Sequence, residues 1–498
     1  MKRAAAATLL VAAASGCPGG SGRSGGDLRP LEILVPNDAE TLDPRYSSDA
    51  VAVRATRLIH AGLVRLDPTT LVPVPYLAKS WTWLDATTLR IDLREDVRFH
   101  SGAPLEAADV VATLRAFASP RVASRHASVV DAILSAREEG EHAVIVTLRR
   151  PHATLITDLE LPVLRRDQAE SPADPDGALD GLGPYVVARF ARGEISLSPA
   201  EHAALPRPAH ALVIRTVHDE NARAVRLEAG RADVAVNAIS PTLLPELAGR
   251  RDLVVASRPG ANLTYAVMRV DRGALADVNV RRAISLGIDR AGIARTLLAG
   301  HAVPADTLIP PAHWAYTPAE APFLYDPAAS RQALTLAGFQ RLRLTLLTST
   351  DRLRGTIARF IAQELDEVGI DLEVIPLELG TMMARLSAGD FDMATLQLPE
   401  LAEPNVLRVF LSSAFVPPRG SNRGRIADPV LDALLEEGDR IAGEDARRLV
   451  YERVEARMRD ELYWIPLWHE DQVSVASVRA RAFLPSAEGR WLSLALLP

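Results

Sequence analysis

The most restrictive feature of this sequence is the stretch from Trp81 to Phe117, where a strand pattern changes abruptly into a helix pattern. Apolar and charged residues alternate from Leu89 to Arg94, and this period of two predicts a half-buried strand. A turn-forming run follows at 100–104, and from Glu106 the apolar residues fall on one helical face. The segment therefore predicts a strand, a tight turn and an amphipathic helix.

The residues of this segment resemble the signature of bacterial extracellular solute-binding protein family 5, whose members serve dipeptide, oligopeptide and nickel ABC transporters. The matching positions are Leu93, Arg94, Val97, Phe99, His100, Gly102, Pro104, Ala107, Asp109 and Val110. Further matches follow in the family order at 41–44, 181–185, 277–300, 389–393, 428–435 and 464–468. The resemblance implies an α/β, two-lobed periplasmic-binding-protein fold (type II, cluster C) with an extra inserted domain.

The length of 498 residues exceeds what one hydrophobic core usually serves, so several structural units are expected. Guided by the family, we predict that residues 258–464 form lobe III and residues 67–177 an inserted domain II. The remaining predicted parts are a lipoprotein signal peptide at 1–17, a flexible tether at 18–27, and a discontinuous lobe I at 28–66, 178–257 and 465–498.

The single cysteine, Cys17, follows a basic start and an apolar run at 4–14. This run is too short to cross a bilayer, which takes about 20 apolar residues, and it predicts an export signal. The small residues before Cys17 resemble a bacterial lipobox, which implies acylation of this cysteine. We therefore predict a periplasmic or cell-surface monomer that is anchored to the membrane by lipid. An ordinary signal peptide cut after a small residue is the alternative.

Composition and motifs give no support to two other classes of protein. The net charge of −7 offers no electrostatic case for binding nucleic acid. The sequence has no HExxH spacing, its Gly-x-Ser-x-Gly pattern at 22–26 lies in the predicted tether and not in a predicted strand-to-helix elbow, and Cys17 lies in the predicted signal peptide. We therefore predict a binding protein and not an enzyme, with no cofactor and no metal ligands.

The resemblance also suggests ligand-binding residues. In peptide-binding members of the family, an aspartate after the Phe-Asp element holds the ammonium group of the peptide. Glu400 falls on that aspartate and Gln397 on the family's nearby tryptophan; an exposed loop acid is the alternative for Glu400. The arginine that dipeptide binders use for the peptide carboxylate matches about Thr348 here, with Arg352 and Arg354 slightly further on.

Other candidate positions have weaker support. Tyr265 and Ser47 are secondary candidates for the ligand cleft. The Asp43-Pro44 loop is either a ligand contact or a surface turn. The charged residues of the 277–300 segment (Arg281, Arg282, Asp289 and Arg290) are predicted to lie on a solvated face. In Gly181-Leu182-Gly183-Pro184, the glycines are expected to supply positive φ where the backbone crosses between lobes.

The predicted function is that of the substrate-binding component of an ABC importer. It would capture a small solute, with a peptide favoured, between lobes that close by a hinge motion, and deliver it to the permease and ATPase. The alternatives are binding of a nickel chelate, haem or an oligosaccharide, or a role as a membrane-tethered sensor or chaperone on the same fold.

Overall fold

The computed structural model describes residues 29–174, 176 and 179–498. The predicted signal peptide, with Cys17, and the predicted tether lie outside these residues. The strands are β1 Leu31–Val35, β2 Val64–Leu66, β3 Pro73–Pro75, β4 Ala78–Asp85, β5 Thr88–Leu93, β6 Ile133–Glu138, β7 Ala143–Leu148, β8 Tyr185–Ala191, β9 Glu194–Pro199, β10 Leu212–Thr216, β11 Val234–Val236, β12 Leu253–Pro259, β13 Leu263–Met268, β14 Ala302–Pro304, β15 Leu342–Ser349, β16 Ile370–Leu377, β17 Met393–Leu398 and β18 Trp464–Ser477. The α-helices are α1 Ala50–Ile59, α2 Ala107–Ala118, α3 Leu155–Asp158, α4 Glu220–Glu228, α5 Leu244–Ala248, α6 Val278–Leu286, α7 Arg290–Thr296, α8 Pro327–Leu336, α9 Arg352–Glu367, α10 Leu379–Ala388, α11 Val406–Leu411, α12 Pro429–Arg440 and α13 Glu444–Glu461.

The main sheet consists of two halves that share one long strand. The strand order is β16-β15-β17-β13-β18-β11-β1-β10-β9-β8, and β12 and β14 also pair with β18. We call β1 and β8–β12 the first half-sheet and β13–β17 the second half-sheet. Over its 14 residues, β18 pairs with β13 and β14 and then with β11 and β12. A single strand therefore connects the two halves.

Both half-sheets contain parallel strands. In the first, β1 lies parallel to β10 and β11, and in the second, β15 lies parallel to β16 and β17. Open sheets of this kind bind ligands beyond the carboxyl ends of their parallel strands. The segments that follow these ends include the 36–49 loop after β1, the start of α9 after β15, and the 399–405 loop after β17.

A separate antiparallel sheet, β4-β5-β7-β6, carries the segment that dominates the sequence. The predicted strand, turn and helix are confirmed as β5, a turn in which Gly102 has a φ of 89°, and α2. The apolar residues of β5, β7 and α2 pack into one hydrophobic core, in which Phe99 and Phe117 are fully buried. This sheet therefore has a core distinct from those of the two half-sheets.

The prediction that Gly181 and Gly183 supply positive φ where the backbone crosses between lobes is wrong. Neither glycine has a positive φ. The backbone here runs against the end of α1, and the Gly183 N–H donates to the carbonyl of Ile59 at 2.8 Å. A Cβ atom would lie 2.1 Å from the Ile59 oxygen at Gly181 and 2.4 Å from the Leu58 oxygen at Gly183. Glycine is required for close approach of two backbones, and not for turn geometry.

The Asp43-Pro44 loop is not an exposed surface turn, and Pro44 lines a cavity of about 200 Å³; contact of this loop with a ligand stays a prediction. Asp43 and Arg45 are fully buried, and their side chains form a two-pronged ion pair with distances of 2.9 and 2.6 Å. Arg45 also donates to the carbonyls of Ala169, Ser171 and Pro172. The loop after β1 thereby holds the segment that returns from the four-stranded sheet.

The prediction of a solvated face for four charged residues of the 277–300 segment is wrong for two of them. Arg281 and Arg290 are each 3% exposed. Their guanidiniums donate to backbone carbonyls, which include those of Glu461 and Pro466. Asp289 caps α7 by accepting from Gly292 N–H at 2.8 Å. These contacts of Arg281, Arg290 and Asp289 are with the backbone, and two of the four charges, Arg281 and Arg290, act inside the protein.

Across residues 29–174, 176 and 179–498, none of the helices combines the length and the apolar character needed to cross a membrane.

Candidate functional site

Six charged residues meet where the two half-sheets and the four-stranded sheet come together. They originate from α1, from the loop after α3, from the loop after β17 and from the C-terminal segment, and we call them the central charge cluster: Arg54, Arg57, Glu160, Glu400, Glu488 and Arg490. Three guanidiniums therefore lie among three carboxyl groups.

Arg490 contacts all three carboxyl groups of the cluster. Its Nη2 donates to Glu400 Oε1 at 2.5 Å, and its Nη1 donates to Glu160. Its Nε lies 3.3 Å from Glu488 Oε1. The side chain of Arg490 is only 9% exposed, so these contacts are largely shielded from water. One guanidinium thus connects the C-terminal segment, the loop after α3 and the loop after β17.

Arg57 and Arg54 approach the same carboxylates from α1. Arg57 lies 3.2 Å from Glu160 Oε2 and 3.5 Å from Glu400 Oε1. Arg54 stacks over the ring of Trp491 at 5.8 Å and acts on Glu400 through its charge. Because the two arginines are three residues apart, they share one face of the helix.

The charges of the cluster change the ionisation of its acids. Burial alone would raise the pKa of Glu400, but Arg490 and Arg57 outweigh burial and lower this pKa to about 2. Burial raises the pKa of Glu488, although Arg490 opposes this shift. Glu400 is therefore an ionised carboxylate with guanidiniums already in place as counter-ions.

Glu400 is thus neither a free carboxylate nor an isolated loop acid. Its side chain is 33% exposed and lies directly after β17, in the loop where the sequence predicts a ligand group. In this structure the positive charge that pairs with it belongs to Arg490 and Arg57. Contact between Glu400 and a ligand remains a prediction.

Gln397 lies in a second polar group, at the carboxyl ends of β15 and β17. Arg354 Nη2 donates to Gln397 Oε1 at 3.0 Å, and Gln397 Nε2 donates to Thr264 Oγ1 at 3.3 Å. Thr264 in turn donates to Glu470 on β18. Arg352 is exposed at the first position of α9, whereas Arg354 lies in this polar group. The structure therefore favours Arg354 over Arg352 as a candidate for the ligand site.

Tyr265 and Ser47 lie in different surroundings. Tyr265 is 1% exposed, and its ring stacks on Trp464 with a centroid distance of 3.8 Å. It therefore packs in the core of the second half-sheet, and contact between Tyr265 and a ligand stays a prediction. Ser47 is 3% exposed, and its carbonyl lies 2.9 Å from His126 Nε2. Ser47 also lines a cavity of about 200 Å³.

A second set of contacts joins the loops around α3 to the second half-sheet. His152 lies between two carboxylates, 3.0 Å from Asp158 and 3.2 Å from Asp439. Burial alone would lower the pKa of His152, but the two carboxylates raise it to about 9. Arg150 also pairs with Asp439, and Thr157 donates to Glu403 at 3.4 Å. The segment 150–160 therefore contacts residues that follow β17 as well as the helix α12.

A cavity of about 200 Å³ lies beside the central charge cluster. Its lining includes Ser47, Arg57, His126, Thr157 and Glu160. A larger cavity of about 350 Å³ lies between α1 and the turn that joins β8 and β9, and its lining contains no residue of the central charge cluster. The smaller cavity therefore has the more direct connection to the charged groups.

Sequence reasoning identified only Glu400 and missed the other members of the cluster, which are Arg54, Arg57, Glu160, Glu488 and Arg490. Arg490 lies 330 residues from Glu160 and 90 residues from Glu400, so no local pattern links them. The spacing of Arg54 and Arg57, the two charged residues of a mostly apolar helix, was the available signal. Within the described part of the chain, no group of three or more His, Cys, Asp or Glu residues is arranged to hold a metal ion.

Two mixed half-sheets that share one long strand, with charged groups meeting between them, define a two-lobed binding protein. Residues 72–400 match the family model described as bacterial extracellular solute-binding proteins, family 5 Middle. The chain belongs to this family.

The relatives of the chain carry names of several solute classes. It is 26% identical to the probable di/tripeptide-binding protein 5 of Pseudomonas aeruginosa (strain UCBPP-PA14), over 93% of this chain and 96% of that protein. It is 25% identical to the glutathione-binding protein GsiB of Salmonella paratyphi A, over 91% of both chains. Among solved structures, NikA from Brucella suis in complex with Fe(III)-EDTA superposes with a TM-score of 0.86 at 23% identity, over 94% of this chain and 99% of that one.

Proposed function

We propose that this protein is the substrate-binding component of an ABC importer and that it captures small peptides or peptide-like solutes. Membership of the family supports solute binding without a chemical transformation. The names of the di/tripeptide-binding and glutathione-binding relatives, which match over more than nine-tenths of this chain, support a peptide-like ligand. Delivery to a permease and ATPase completes the proposal.

The observation that carries this proposal is the direct contact between charged side chains of the two half-sheets. Glu400 follows β17 of the second half-sheet, and Arg57 and Arg490 reach it from α1 and from the C-terminal segment, which pack with the first half-sheet. In the described part of the chain, the backbone passes between the two halves along β18 and through the short connection 260–262. This arrangement suits lobes that close on a ligand by a hinge motion.

The connection has features of a hinge point. Asn262 Nδ2 donates to the carbonyl of Glu470 at 2.7 Å, and Glu470 N–H donates back to Asn262 Oδ1 at 2.8 Å. A Cβ atom at Gly260 would lie 2.3 Å from the same carbonyl oxygen. These hydrogen bonds therefore join the 260–262 connection to β18, the two segments that link the lobes.

We also retain the three-part division as a proposal, with lobe I and lobe III on the first and second half-sheets and domain II on the four-stranded sheet. Lipid anchoring at Cys17 in the periplasm or at the cell surface belongs to the same proposal. The lipid anchoring is proposed from the sequence alone.

Two measurements test this proposal: the capture of a solute, and the closure of the lobes when that solute binds. Native mass spectrometry of protein purified without refolding identifies co-purified solutes, and an equimolar tripeptide library serves as the added probe. We expect small-angle scattering to show a smaller radius of gyration when the captured peptide saturates the protein. A mixture of free amino acids at equal concentration is the control. Binding without any change in radius would contradict the hinge, and binding of no peptide would contradict the proposed ligand class.

A further inference from the structure

The position that matches the family's ammonium-binding acid is already paired with cations of the protein itself. Glu400 lies 2.5 Å from Arg490 and 3.5 Å from Arg57, and the charge of Arg54 also acts on it. A ligand ammonium at this carboxylate would enter a site that three guanidiniums surround, and like charges repel at such distances. The pairing therefore changes which ligand the site accepts.

We propose that Arg490 is a specificity-determining residue that takes the place of the ligand ammonium, so that the protein selects peptide-like solutes whose amino end is blocked or uncharged. This inference rests on the proposed function and specifies its ligand class. The chemistry fits an N-acylated peptide or a solute without an α-ammonium group.

Several contacts fix Arg490 in this position. Besides Glu400, its guanidinium contacts Glu160 and the nearly buried Glu488. The Arg490 N–H donates to Ser486 Oγ at 2.9 Å. The side chain therefore has little freedom to leave Glu400 when a ligand arrives.

Hydrogen bonds and close packing also fix the backbone around Arg490. Ala487 donates to the carbonyl of Pro68 at 2.9 Å and accepts from Ala261 N–H at 2.7 Å. Gly489 has a φ of 77°, and a Cβ atom there would lie 2.6 Å from Gln472 Oε1. The turn that presents Arg490 is thus packed against the hinge connection, and its geometry depends on that connection.

Arg57 can donate a hydrogen bond, beside Glu400, to a ligand whose amino end is uncharged. Arg57 Nη1 is buried and makes no hydrogen bond, although its ion-pair distance to Glu400 is 3.5 Å. Arg57 also lines the 200 Å³ cavity, together with the hydroxyl-bearing residues Ser47 and Thr157. An acyl carbonyl oxygen can accept a hydrogen bond from a guanidinium, whereas an ammonium group cannot.

The experiment compares an equimolar tripeptide library with the same library after N-acetylation. Native mass spectrometry identifies the tripeptides that the parent protein captures, and calorimetry then measures each sequence in both forms. We expect the acetylated form to bind at least ten-fold more tightly than the free form. Preference of the parent for free amines would overturn the inference and leave peptide capture intact, whereas capture from neither library would overturn the proposed function as well.

Substitutions then assign the preference to Arg490. Arg490→Met keeps an unbranched, flexible side chain and removes the guanidinium with its charge, so Glu400 becomes available to an ammonium group. We expect the ratio of the two affinities to shift at least ten-fold toward the free amine, and Arg490→Lys, which retains a positive charge, to shift it less. A ratio that Arg490→Met leaves unchanged would overturn the assignment.

A second variant keeps the test valid if Arg490→Met does not fold. Arg57→Met removes the longer of the two contacts to Glu400 and leaves Arg490 paired with Glu160. We expect a smaller shift of the ratio in the same direction. Because the measured quantity is a ratio of two affinities for one variant, a general loss of stability does not imitate the effect.

Discussion

Replacing Asp43 by asparagine is the most informative stability test, because it breaks an ion pair from which water is excluded. The carboxylate of Asp43 accepts from Arg45 Nε at 2.9 Å, from Arg45 Nη2 at 2.6 Å and from the backbone N–H groups of Arg45 and Asp174 at 3.0 Å each. Both side chains are 0% exposed. The asparagine side chain of the variant would retain one acceptor oxygen and would leave the Arg45 charge without an anion.

The burial of both side chains determines how much Asp43→Asn should lower the free energy of unfolding. Removing one partner of a buried ion pair costs about 3–5 kcal/mol, because the remaining charge is neither paired nor hydrated. The carbonyls of Ala169, Ser171 and Pro172 still accept from Arg45, so the loss should lie toward the lower end of that range. We expect Asp43→Asn to lower the free energy of unfolding by about 3 kcal/mol.

Asp96→Asn is a matched control. Arg94 donates to Asp96 through the same two nitrogens, at 3.0 and 2.7 Å, and the two residues are likewise two positions apart. Asp96 is 71% exposed, however, so its substitution should cost less than about 1 kcal/mol. Urea unfolding followed by circular dichroism, with linear extrapolation, measures both variants. Equal losses for the buried and the exposed pair would refute the reasoning.

Two further predictions concern other parts of the chain. His152→Gln should destabilise the protein most below about pH 6.5, and the difference from the parent should fade as pH rises through about 9, because the raised pKa of His152 stabilises the fold only while the ring is protonated. Unfolding free energies across this pH range measure the effect, and a difference independent of pH would contradict it. Cys17→Ser should abolish acylation and move the protein out of the membrane fraction, and equal membrane association of variant and parent would contradict the lipoprotein assignment.

Local patterns predicted the elements of the fold because the relevant residues are neighbours in sequence. The alternation at 89–93, the turn at 100–104 and the helical periodicity after Glu106 each appear where predicted. The start of α12 is also determined locally, because Asp428 accepts from Val430 N–H at 2.9 Å. Each of these signals depends on contacts within a few residues.

Burial of charged residues could not be predicted in this way. Arg281 and Arg290 have the sequence pattern of surface residues, but carbonyls up to 180 residues away satisfy their guanidiniums. Asp43 and Arg45 are close in sequence, yet their burial depends on a segment 124–131 residues further on. The family resemblance placed Glu400 after β17, but it gave no indication that Arg490 would reach it.

In the proposed mechanism, the central charge cluster affects both closure and selectivity. A ligand can shift an equilibrium between open and closed lobes only by its difference in affinity for the two states. If the lobes close by the proposed hinge motion, the contacts of Arg490 and Arg57 with Glu400 favour the closed arrangement without any ligand, so a bound solute needs to supply only the remaining difference. A ligand ammonium would have to displace these contacts, and its gain at Glu400 would be offset by their loss. A ligand with an uncharged amino end adds its own contacts to those already present, which is why the same arginines that hold the lobes together should also exclude the ammonium.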